Sequence, residues 1–548
     1  MRKIVLTGLA GVFLIGIFSF KVLDENFFEI KRNLDIFGTL FSELDANYVD
    51  ELDAEELVIE GIDAMLASLD PYADFIPESE LESYKTSTTG EYGGIGAVVG
   101  KKNGVSTVVM PYKGFPAYEA GLRIGDQIME IDGQSLDGKK NREVSEMLKG
   151  KPNTVLLLKV KRYGFENPIE INVERAQIVI SNVGYHGMYN EEVGIIQLTD
   201  FTTNASKEVT EALNELKSQG AKKIILDLRG NPGGLLSEAI HVANVFLPKG
   251  KEIVSTRGKT TSVSRLYKSL SNPVDTDIPL AVLINRGTAS ASEIVSGSIQ
   301  DYDRGVLLGK KTFGKGLVQG TRQLPYDTQL KLTTAKYYIP SGRCIQAIDY
   351  ANRNEDGSVG KIADSLKLAF KTENGRTVYD GGGIDPDIEV EMEYYSNLLM
   401  SIVNQNVLFD YATKYHFEHK EIASAREFQL SDAEYNDFLK WAQDRKMDFS
   451  SEMDRAIKSL EETARNEKYY DGLKPRIDEL KSKLSGVRES YLTEHEEEVK
   501  SLLEEDIVSR YYMHTGIIEA SLNDDPVISQ AVEVLNDTSR YNKLLAKK

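Results

Sequence analysis

Residues 285–320 read NRGTASASEIVSGSIQDYDRGVLLGKKTFGKGLVQG, and the architecture of the chain can be inferred outward from this stretch. This stretch follows Leu280–Ile284, a continuous apolar run. Such a run is typical of a strand in a sheet whose two faces are both buried. Small and hydroxylated residues occupy positions 287–292, and apolar residues then recur at helical spacing, which predicts a tight turn that opens a helix. A serine at such a turn can be exposed beside the backbone amides of the helix.

A second apolar run at 305–309 and a lysine between two glycines complete the stretch. Lys315 is flanked by Gly314 and Gly316, and no acidic residue occurs in residues 310–326. Burial in apolar surroundings lowers the pKa of a lysine, and a neutral amine can act as the base for a serine nucleophile. The pattern is compatible with such a desolvated amine and equally with a lysine on a solvated turn.

Strands and helices alternate upstream of this stretch. The runs Val193–Leu198 and Lys223–Leu228 predict strands, and residues 204–218 predict a helix between them. The glycine-rich loop Arg229–Gly234 (RGNPGG) then precedes a further helix. This alternation indicates an α/β domain built from repeated strand-helix units, to which Leu330–Ile339 adds another predicted strand.

Length and composition limit the domain count and the class of function. A chain of 548 residues predicts three or four domains of about 100–200 residues each. A net charge of −20 argues against nucleic-acid binding, and the single cysteine, Cys344, excludes an internal disulfide framework and any CxxC metal site. We predict five segments: a signal peptide or membrane anchor at 1–22, a helical segment at 23–89, a small β-rich domain at 90–178, the α/β core at 179–392 and a helical extension at 393–548.

The N-terminal segment carries the information on location. Arg2 and Lys3 precede the mostly apolar run Ile4–Phe20, which predicts a secretory signal or a short membrane anchor. No A-x-A-like cleavage site closes the run, and this favours an uncleaved anchor. We therefore expect an exported chain on the periplasmic side, either released or anchored in the inner membrane.

The β-rich domain at 90–178 contains glycine-rich turns, the hairpin signal Asp132-Gly133 and a short helix at 141–149. Its order of elements resembles a PDZ domain, on the segments Gly93-Gly94-Ile95-Gly96, Pro116-Ala117, Ala120-Gly121-Leu122 and Gly125-Asp126-Gln127-Ile128. Glycines let backbone amides converge on a peptide carboxylate, and a neighbouring strand edge can pair with the extended peptide. We predict peptide binding at Gly93, Gly94, Ile95 and Gly96, with a β-rich domain lacking a peptide site as the alternative.

Other kinds of site fit the sequence less well. Residues 309–315 match the first seven positions of a P-loop, but Gly316 stands where a Ser or Thr should ligate Mg²⁺. The six histidines lack metal-binding spacing, so we predict neither a metal nor a cofactor. His241 follows the glycine-rich loop and could belong to a Ser-His-Asp triad, although nothing in its local sequence marks it as a base.

The C-terminal part of the chain shows a helical pattern without evident chemistry. From Tyr394 to the end, apolar residues recur on one helix face and charged residues occupy the other. We interpret this region as a helical extension that could bind an adaptor or another copy of the chain.

Several motifs occur in order between about Asp45 and Val390. They are SLDP at 68–71, the PDZ-like segments, DLRGNPGG at 227–234, ASASEI at 289–294, TFGKG at 312–316 with Val318-Gln319, and TAKYY at 334–338 with PSGR at 340–343. Together they resemble the carboxy-terminal processing peptidases, also called tail-specific proteases, which are serine peptidases with a Ser/Lys dyad. The resemblance implies a core similar to the ββα spiral of crotonases and Clp proteases, with an inserted PDZ domain.

The resemblance also implies roles for individual residues. Ser290 would be the nucleophile, Lys315 the general base and Gln319 the residue that orients Lys315. Backbone amides of Ala291 and of the glycine turn, Gly234 in particular, would bind the oxyanion, and amides at a helix start and in a glycine turn suit that chemistry. Spacing alone does not separate Ser290 from Ser292, whose context is equally small and polar.

The sequence thus predicts an exported serine endopeptidase that captures accessible C-terminal tails of protein substrates through a PDZ domain and cleaves them by acyl transfer. A non-catalytic scaffold that binds tails through the PDZ and helical regions is the alternative from another class. A nucleotide-binding protein is a third interpretation, which the residue at 316 disfavours.

Overall fold

The computed structural model describes residues 27–354, 358–391, 395–443, 445 and 452–546. The chain forms two compact units, of which one comprises residues up to 78 together with 320–333, and the other comprises 79–319 together with 334 onwards. A β-rich domain, an α/β core and a helical region follow one another along the chain. The predicted multidomain α/β class is therefore confirmed.

The smaller unit begins with two helices, both within the predicted helical segment at 23–89. Helix α1 spans 27–47 and α2 spans Ala54–Ala67, and both are followed by the short strand β1 at Asp74–Ile76. The Asp53 carboxylate accepts the first free amides of α2, those of Glu55 and Glu56, which fixes where this helix begins. β1 pairs antiparallel with residues 329–331, within the same unit.

The β-rich domain is a sheet of short strands accompanied by short helices. Its elements are α3 Leu81–Thr89, β2 Glu91–Gly94, β3 Ala97–Lys102, β4 Val105–Pro111, α4 Pro116–Glu119, β5 Gln127–Ile131, β6 Gln134–Ser135, α5 Asn141–Leu148, β7 Val155–Lys161, β8 Ile169–Glu174 and β9 Ala176–Val179. The sheet order is β3-β4-β5-β7-β8, with β6 on β5, while β2 pairs separately with β9. β3 therefore lies at one edge of the sheet.

The α/β core follows. Its elements are β10 Val183–Met188, β11 Val193–Leu198, α6 Ala205–Ser218, β12 Lys223–Asp227, α7 Leu236–Phe246, β13 Glu252–Gly258, β14 Arg265–Lys268, β15 Leu280–Ile284, α8 Ala291–Asp301, β16 Val306–Gly309, β17 Leu317–Gln323, β18 Gln329–Tyr338, β19 Ile348–Arg353, β20 Val359–Lys361, β21 Ala369–Lys371, β22 Thr377–Tyr379 and β23 Ile388–Glu389. The central sheet has the order β10-β11-β12-β15-β16-β23. β10 and β11 are antiparallel, and every later neighbour in this sheet is parallel.

Both faces of the central sheet are covered, as the apolar run at 280–284 predicts. All five residues of β15 are fully buried. Alternate residues, such as Leu280 and Val282, pack with α6, α7 and α8 in one cluster, whereas Ala281 and Leu283 pack with the C-terminal residues 522–541 in another. The strand is apolar throughout because neither of its faces meets water.

The C-terminal region is helical, as its periodicity predicts. Its helices are α9 Asn397–Asn404, α10 Val407–Glu418, α11 Asp432–Gln443, α12 Glu452–Asn466, α13 Tyr470–Glu494, α14 Glu496–Ser521, α15 Pro526–Asn536 and α16 Thr538–Leu545. The last two form the layer that covers the second face of the central sheet. The Tyr541 hydroxyl accepts from the Leu280 amide at 3.0 Å and donates to the Leu280 carbonyl at 3.2 Å, which fixes α16 on β15.

The C-terminal helices also contact the β-rich domain. Met110 and Ile124 of that domain form a buried apolar cluster with Phe409 of α10. The Asn103 side chain at the β3–β4 turn donates to Asp410 at 3.3 Å. One helical region therefore touches both the small domain and the α/β core.

The apolar run Ile4–Phe20, on which the predicted export rests, lies outside the described residues. Among the residues that are described, no helix combines the length and the hydropathy needed to cross a bilayer.

Candidate active site

The glycine-rich loop after β12 and the serine turn after β15 lie next to each other at the carboxyl ends of these strands. These strands are parallel neighbours, so the loop that follows each one emerges at the same sheet edge. The Ala289 amide donates to the Asn231 carbonyl at 3.0 Å, and the Gly230 amide donates to the Asn285 side chain at 3.0 Å. These two bonds hold the glycine-rich loop against the serine turn.

Ser290 occupies an unusual backbone conformation at the start of α8. Its φ of 54° and ψ of −113° are rare for a residue with a side chain, and such strain is often found at functional sites. Ser290 is partly exposed, whereas Ser292 is fully buried and its hydroxyl donates to the Asn231 carbonyl at 3.0 Å. The structure thus places one serine of the pair at the surface and uses the other to pack the loop.

The glycine turn approaches Ser290 so closely that a side chain would not fit. A Cβ atom on Gly233, where φ is 101°, would lie 2.8 Å from the Ser290 Cβ and 2.8 Å from the Ala291 nitrogen. Neither Ala291 nor Gly234 donates its amide to an acceptor in the described part of the chain. The two amides expected to bind an oxyanion are therefore uncommitted and lie on adjoining turns.

A buried carboxylate joins the Ser290 turn to the Lys315 loop. Glu293, on the first turn of α8, accepts from the Ser290 amide at 2.8 Å and from the Lys315 amide at 2.9 Å. It also accepts from the Gly314 amide at 2.8 Å and from the Thr312 hydroxyl at 2.5 Å. One side chain thus fixes the backbone of both predicted catalytic residues.

The environment of Glu293 makes these bonds obligatory. The side chain is fully buried, and burial raises the pKa of its carboxyl, while the bonds from Thr312, Lys315, Ser290 and Gly314 oppose that rise. Leaving a buried carboxylate without hydrogen-bond donors costs several kcal/mol. Movement of the Lys315 loop away from Glu293 would therefore carry a large free-energy penalty.

Tyr337 of β18 adds a second link between the same two segments. Its buried hydroxyl lies 3.1 Å from the Ser290 carbonyl and is also hydrogen-bonded to the Lys315 carbonyl. Lys315 and Gln319 are both half-buried, and Gln319 lies on β17, which begins two residues after Lys315. The backbone of the predicted base is thus held from two sides.

His241 is not part of the hydrogen-bonded group around Ser290. It lies on α7 with 51 % of its side chain exposed, 3.9 Å from Glu238, and no hydrogen bond links it to Ser290 within the described ranges. No group of three or more potential metal ligands occurs among the described residues either. The site offers a serine, a lysine and backbone amides as its chemical groups.

Glu293 and Tyr337 are the two site residues whose roles the sequence interpretation did not assign. The spacing Ser290-x-x-Glu293 is that of a capping box, in which the third helical residue bonds back to the amide at the helix start. That signal could have identified the bond to Ser290. It contains no information on the bonds to the Lys315 loop, because these join residues about twenty positions apart.

The predicted peptide-binding residues lie in the β-rich domain, at the end of β2 and in the turn before β3. Gly96 adopts a φ of 68°, and the carbonyls of Ile95 and Gly96 accept from the Ala117 and Tyr112 amides. The β3 strand that follows has β4 on one side, and α5 packs nearby. An edge strand beside a helix is the arrangement that accepts an extended peptide.

Three known families match the chain. Residues 192–351 match Peptidase family S41, residues 107–162 match the PDZ domain, and residues 398–535 match a description that reads "Probable PDZ-protease, C-terminal helical domain". The central sheet, the Ser290 turn and the S41 match indicate a serine peptidase, and the PDZ match adds a PDZ domain.

Similar proteins identify a family within the serine peptidases that have a PDZ domain. The chain is 37% identical over 356 residues to a carboxy-terminal-processing protease of Bartonella bacilliformis, a match that covers 64% of this chain and 81% of the relative. It is also 37% identical over 318 residues to a probable CtpA-like serine protease of Staphylococcus aureus, covering 58% of this chain and 63% of the relative. The photosystem II D1 C-terminal processing protease is a similar solved structure, at 26% identity and a TM-score of 0.35, covering 65% of this chain and 92% of that one. The chain belongs to the carboxy-terminal-processing protease family.

Replacing Glu293 by glutamine tests its structural role. The new side-chain amide would present a donor to backbone donors, so we expect the Glu293→Gln chain to be less stable by about 1–3 kcal/mol and to lose most peptidase activity. Thermal unfolding and a peptide-cleavage assay measure the two effects. Glu211→Gln, an exposed change on α6, serves as the control, and normal stability with full activity in Glu293→Gln would contradict the role.

Proposed function

We propose that this serine peptidase cleaves protein substrates near their C-terminal tails, with Ser290 as nucleophile, Lys315 as general base and Gln319 as the residue that orients Lys315. The observation that carries the proposal is the Glu293 carboxylate, which accepts both the Ser290 and the Lys315 amides. The partial exposure of Ser290, against the complete burial of Ser292, supports the choice between the two serines.

The reaction follows from these positions. The neutral Lys315 amine takes the Ser290 hydroxyl proton as the oxygen attacks the carbonyl carbon of the scissile bond, and the tetrahedral intermediate forms. Its collapse breaks the C–N bond, and Lys315 returns the proton to the leaving amine. A water molecule, activated by the same amine, then hydrolyses the acyl-enzyme and restores Ser290.

The oxyanion of each tetrahedral intermediate accepts hydrogen bonds from the Ala291 and Gly234 amides. Both are uncommitted among the described residues, and the Ala291 amide is at the start of α8, where the helix dipole also favours negative charge. Removal of one such donor costs about 3–4 kcal/mol in the barrier. The close approach of Gly233 to Ser290 and Ala291 supports the pairing of these two donors.

Substrate capture is assigned to the PDZ domain. The turn from Gly93 to Gly96 would bind the terminal carboxylate of the tail, and the edge of β3 would pair with the residues before it. Main-chain pairing is tolerant of sequence, so unstructured tails of many sequences fit this mode, with the carboxylate as the shared feature.

Replacing either dyad residue by alanine should abolish cleavage and preserve the fold. We expect Ser290→Ala and Lys315→Ala to lose roughly 10⁴-fold or more in kcat, because members of such a unit act together. Cleavage of quenched-fluorescence peptides with unstructured sequences measures this. The exposed residues Ser218 and Lys249 provide matched Ser→Ala and Lys→Ala controls, and retained cleavage in folded Lys315→Ala would refute the dyad.

The free carboxylate of the substrate should contribute to binding. We expect amidation of the peptide C-terminus to raise KM roughly tenfold or more, because a charge-assisted hydrogen bond contributes about 1.5–3 kcal/mol. Steady-state kinetics on paired peptides measure the change. Acetylation of the peptide N-terminus is the control, and equal KM values for the free and amidated peptides would contradict tail capture by its end.

We also propose that the chain is exported to the periplasmic side, anchored there or released. Support comes from Arg2, Lys3 and the apolar run Ile4–Phe20 alone. A fusion of residues 1–30 to a reporter that is active only after export should give activity, and deletion of residues 4–20 should remove it. An inactive fusion of normal abundance would overturn the proposal.

A further inference from the structure

The C-terminal helices reach the glycine-rich loop of the active site through one carboxylate. Asp525 is the N-cap residue of α15, and its Oδ1 atom accepts from the Val527 and Ile528 amides at 2.8 and 3.0 Å. Its Oδ2 atom lies 2.7 Å from Nη1 of Arg229, the third residue of the DLRGNPGG motif. The two oxygens therefore have separate tasks, capping a helix and binding the loop.

Arg229 is held between two carboxylates. Its Nε and Nη2 atoms donate to Asp227 at 2.6–3.1 Å, while Nη1 meets Asp525. Burial disfavours the charged guanidinium, but Asp227 and Asp525 together raise the pKa of Arg229. Only 14 % of each of the Arg229 and Asp525 side chains is exposed, so solvent screens this ion pair weakly.

The position of Arg229 determines the course of the loop that follows. Gly230, the next residue, bonds to the Asn285 side chain, and the Asn231 carbonyl receives both the Ala289 amide and the Ser292 hydroxyl. Gly234 follows three residues later. A shift of Arg229 would therefore be transmitted through a short, densely hydrogen-bonded segment to the Gly234 amide, the proposed oxyanion donor.

Asp525 is attached to a helix that packs on the central sheet. The helix that it caps is buried against the central sheet through Val527, Ile528, Ala531 and Val534. Asp227, by contrast, is the last residue of β12, the strand that leads directly into the glycine-rich loop. The bond to Asp525 is thus the contact that ties the Arg229 side chain to a separate layer of the structure.

We propose that Asp525 is a positioning residue of the peptidase, supplied by the C-terminal helices, which acts through Arg229 to hold the glycine turn where the Gly234 amide meets the oxyanion. This inference rests on the proposed function, because it requires acyl transfer at Ser290. It assigns the C-terminal region a part in catalysis, distinct from tail capture by the PDZ domain.

The substitution Asp525→Asn isolates the bond to Arg229. The Oδ1 atom of asparagine still caps α15, since asparagine and aspartate are comparable at this position. Its amide nitrogen replaces Oδ2 and presents a donor to a donor. We expect kcat to fall roughly 10- to 100-fold, as for a misplaced oxyanion donor, with KM changed by less than about twofold. The melting temperature should fall only modestly, because Arg229 keeps its hydrogen bonds to Asp227.

Asp537→Asn is the matched control. Asp537 caps α16 through a bond from the Arg540 amide, is exposed, and lies in the same C-terminal segment. We expect its replacement to leave kcat and KM unchanged. An equal fall in kcat in both variants would assign the effect to the helices in general and overturn the proposal.

A double-mutant cycle distinguishes positioning through Arg229 from an independent effect. If Asp525 acts through Arg229, Asp525→Asn should lower kcat in the parent chain but not further in Arg229→Gln. Equal losses in both backgrounds, or unchanged kcat in Asp525→Asn alone, would overturn the proposal. Loss of cleavage in Ser290→Ala tests the dyad separately, so a failure here leaves the proposed function standing.

Discussion

The buried carboxylate of Glu293 holds the two halves of the active site together. It accepts the amides of Ser290 and Lys315, which belong to segments on either side of β16. Because the carboxylate is fully buried, water cannot replace its hydrogen bonds to these two segments. Loss of either set of bonds would therefore destabilise the fold. Folding therefore fixes the backbones of Ser290 and Lys315, the proposed nucleophile and base, relative to each other.

The parallel strands of the central sheet supply the second constraint. The neighbouring strands β12 and β15 end at one edge, which puts the glycine turn next to Ser290 and leaves no room for a Cβ atom on Gly233. The C-terminal helices α15 and α16 cover the far face of this sheet and reach the glycine loop at Arg229. The end of the region that the sequence presents as a separate extension is thus one of the structural layers of the core, while another part of that region contacts the PDZ domain through Phe409.

The parts of this architecture that depend on local pattern could be predicted from the sequence. The apolar run at 280–284 indicated a strand buried on both faces, and the residues after it indicated the turn and helix that present Ser290. Burial of Ser292 could not be predicted, because it depends on the Asn231 carbonyl of a loop about sixty residues away. The same limit applies to Asp525: an amphipathic pattern shows that a helix has an apolar face, but it does not identify the sheet or the arginine that the helix meets.

Trapping the acyl-enzyme is the sharpest test of this mechanism. Peptidase mixed with excess tail peptide, quenched in acid within one turnover and digested for mass spectrometry, should carry the substrate acyl group on Ser290. The same adduct should be absent from Ser290→Ala and strongly reduced in Glu293→Gln. An acyl group on Ser292 or on another side chain, or rapid cleavage with Ser290 removed, would contradict the assignment of Ser290 as the nucleophile.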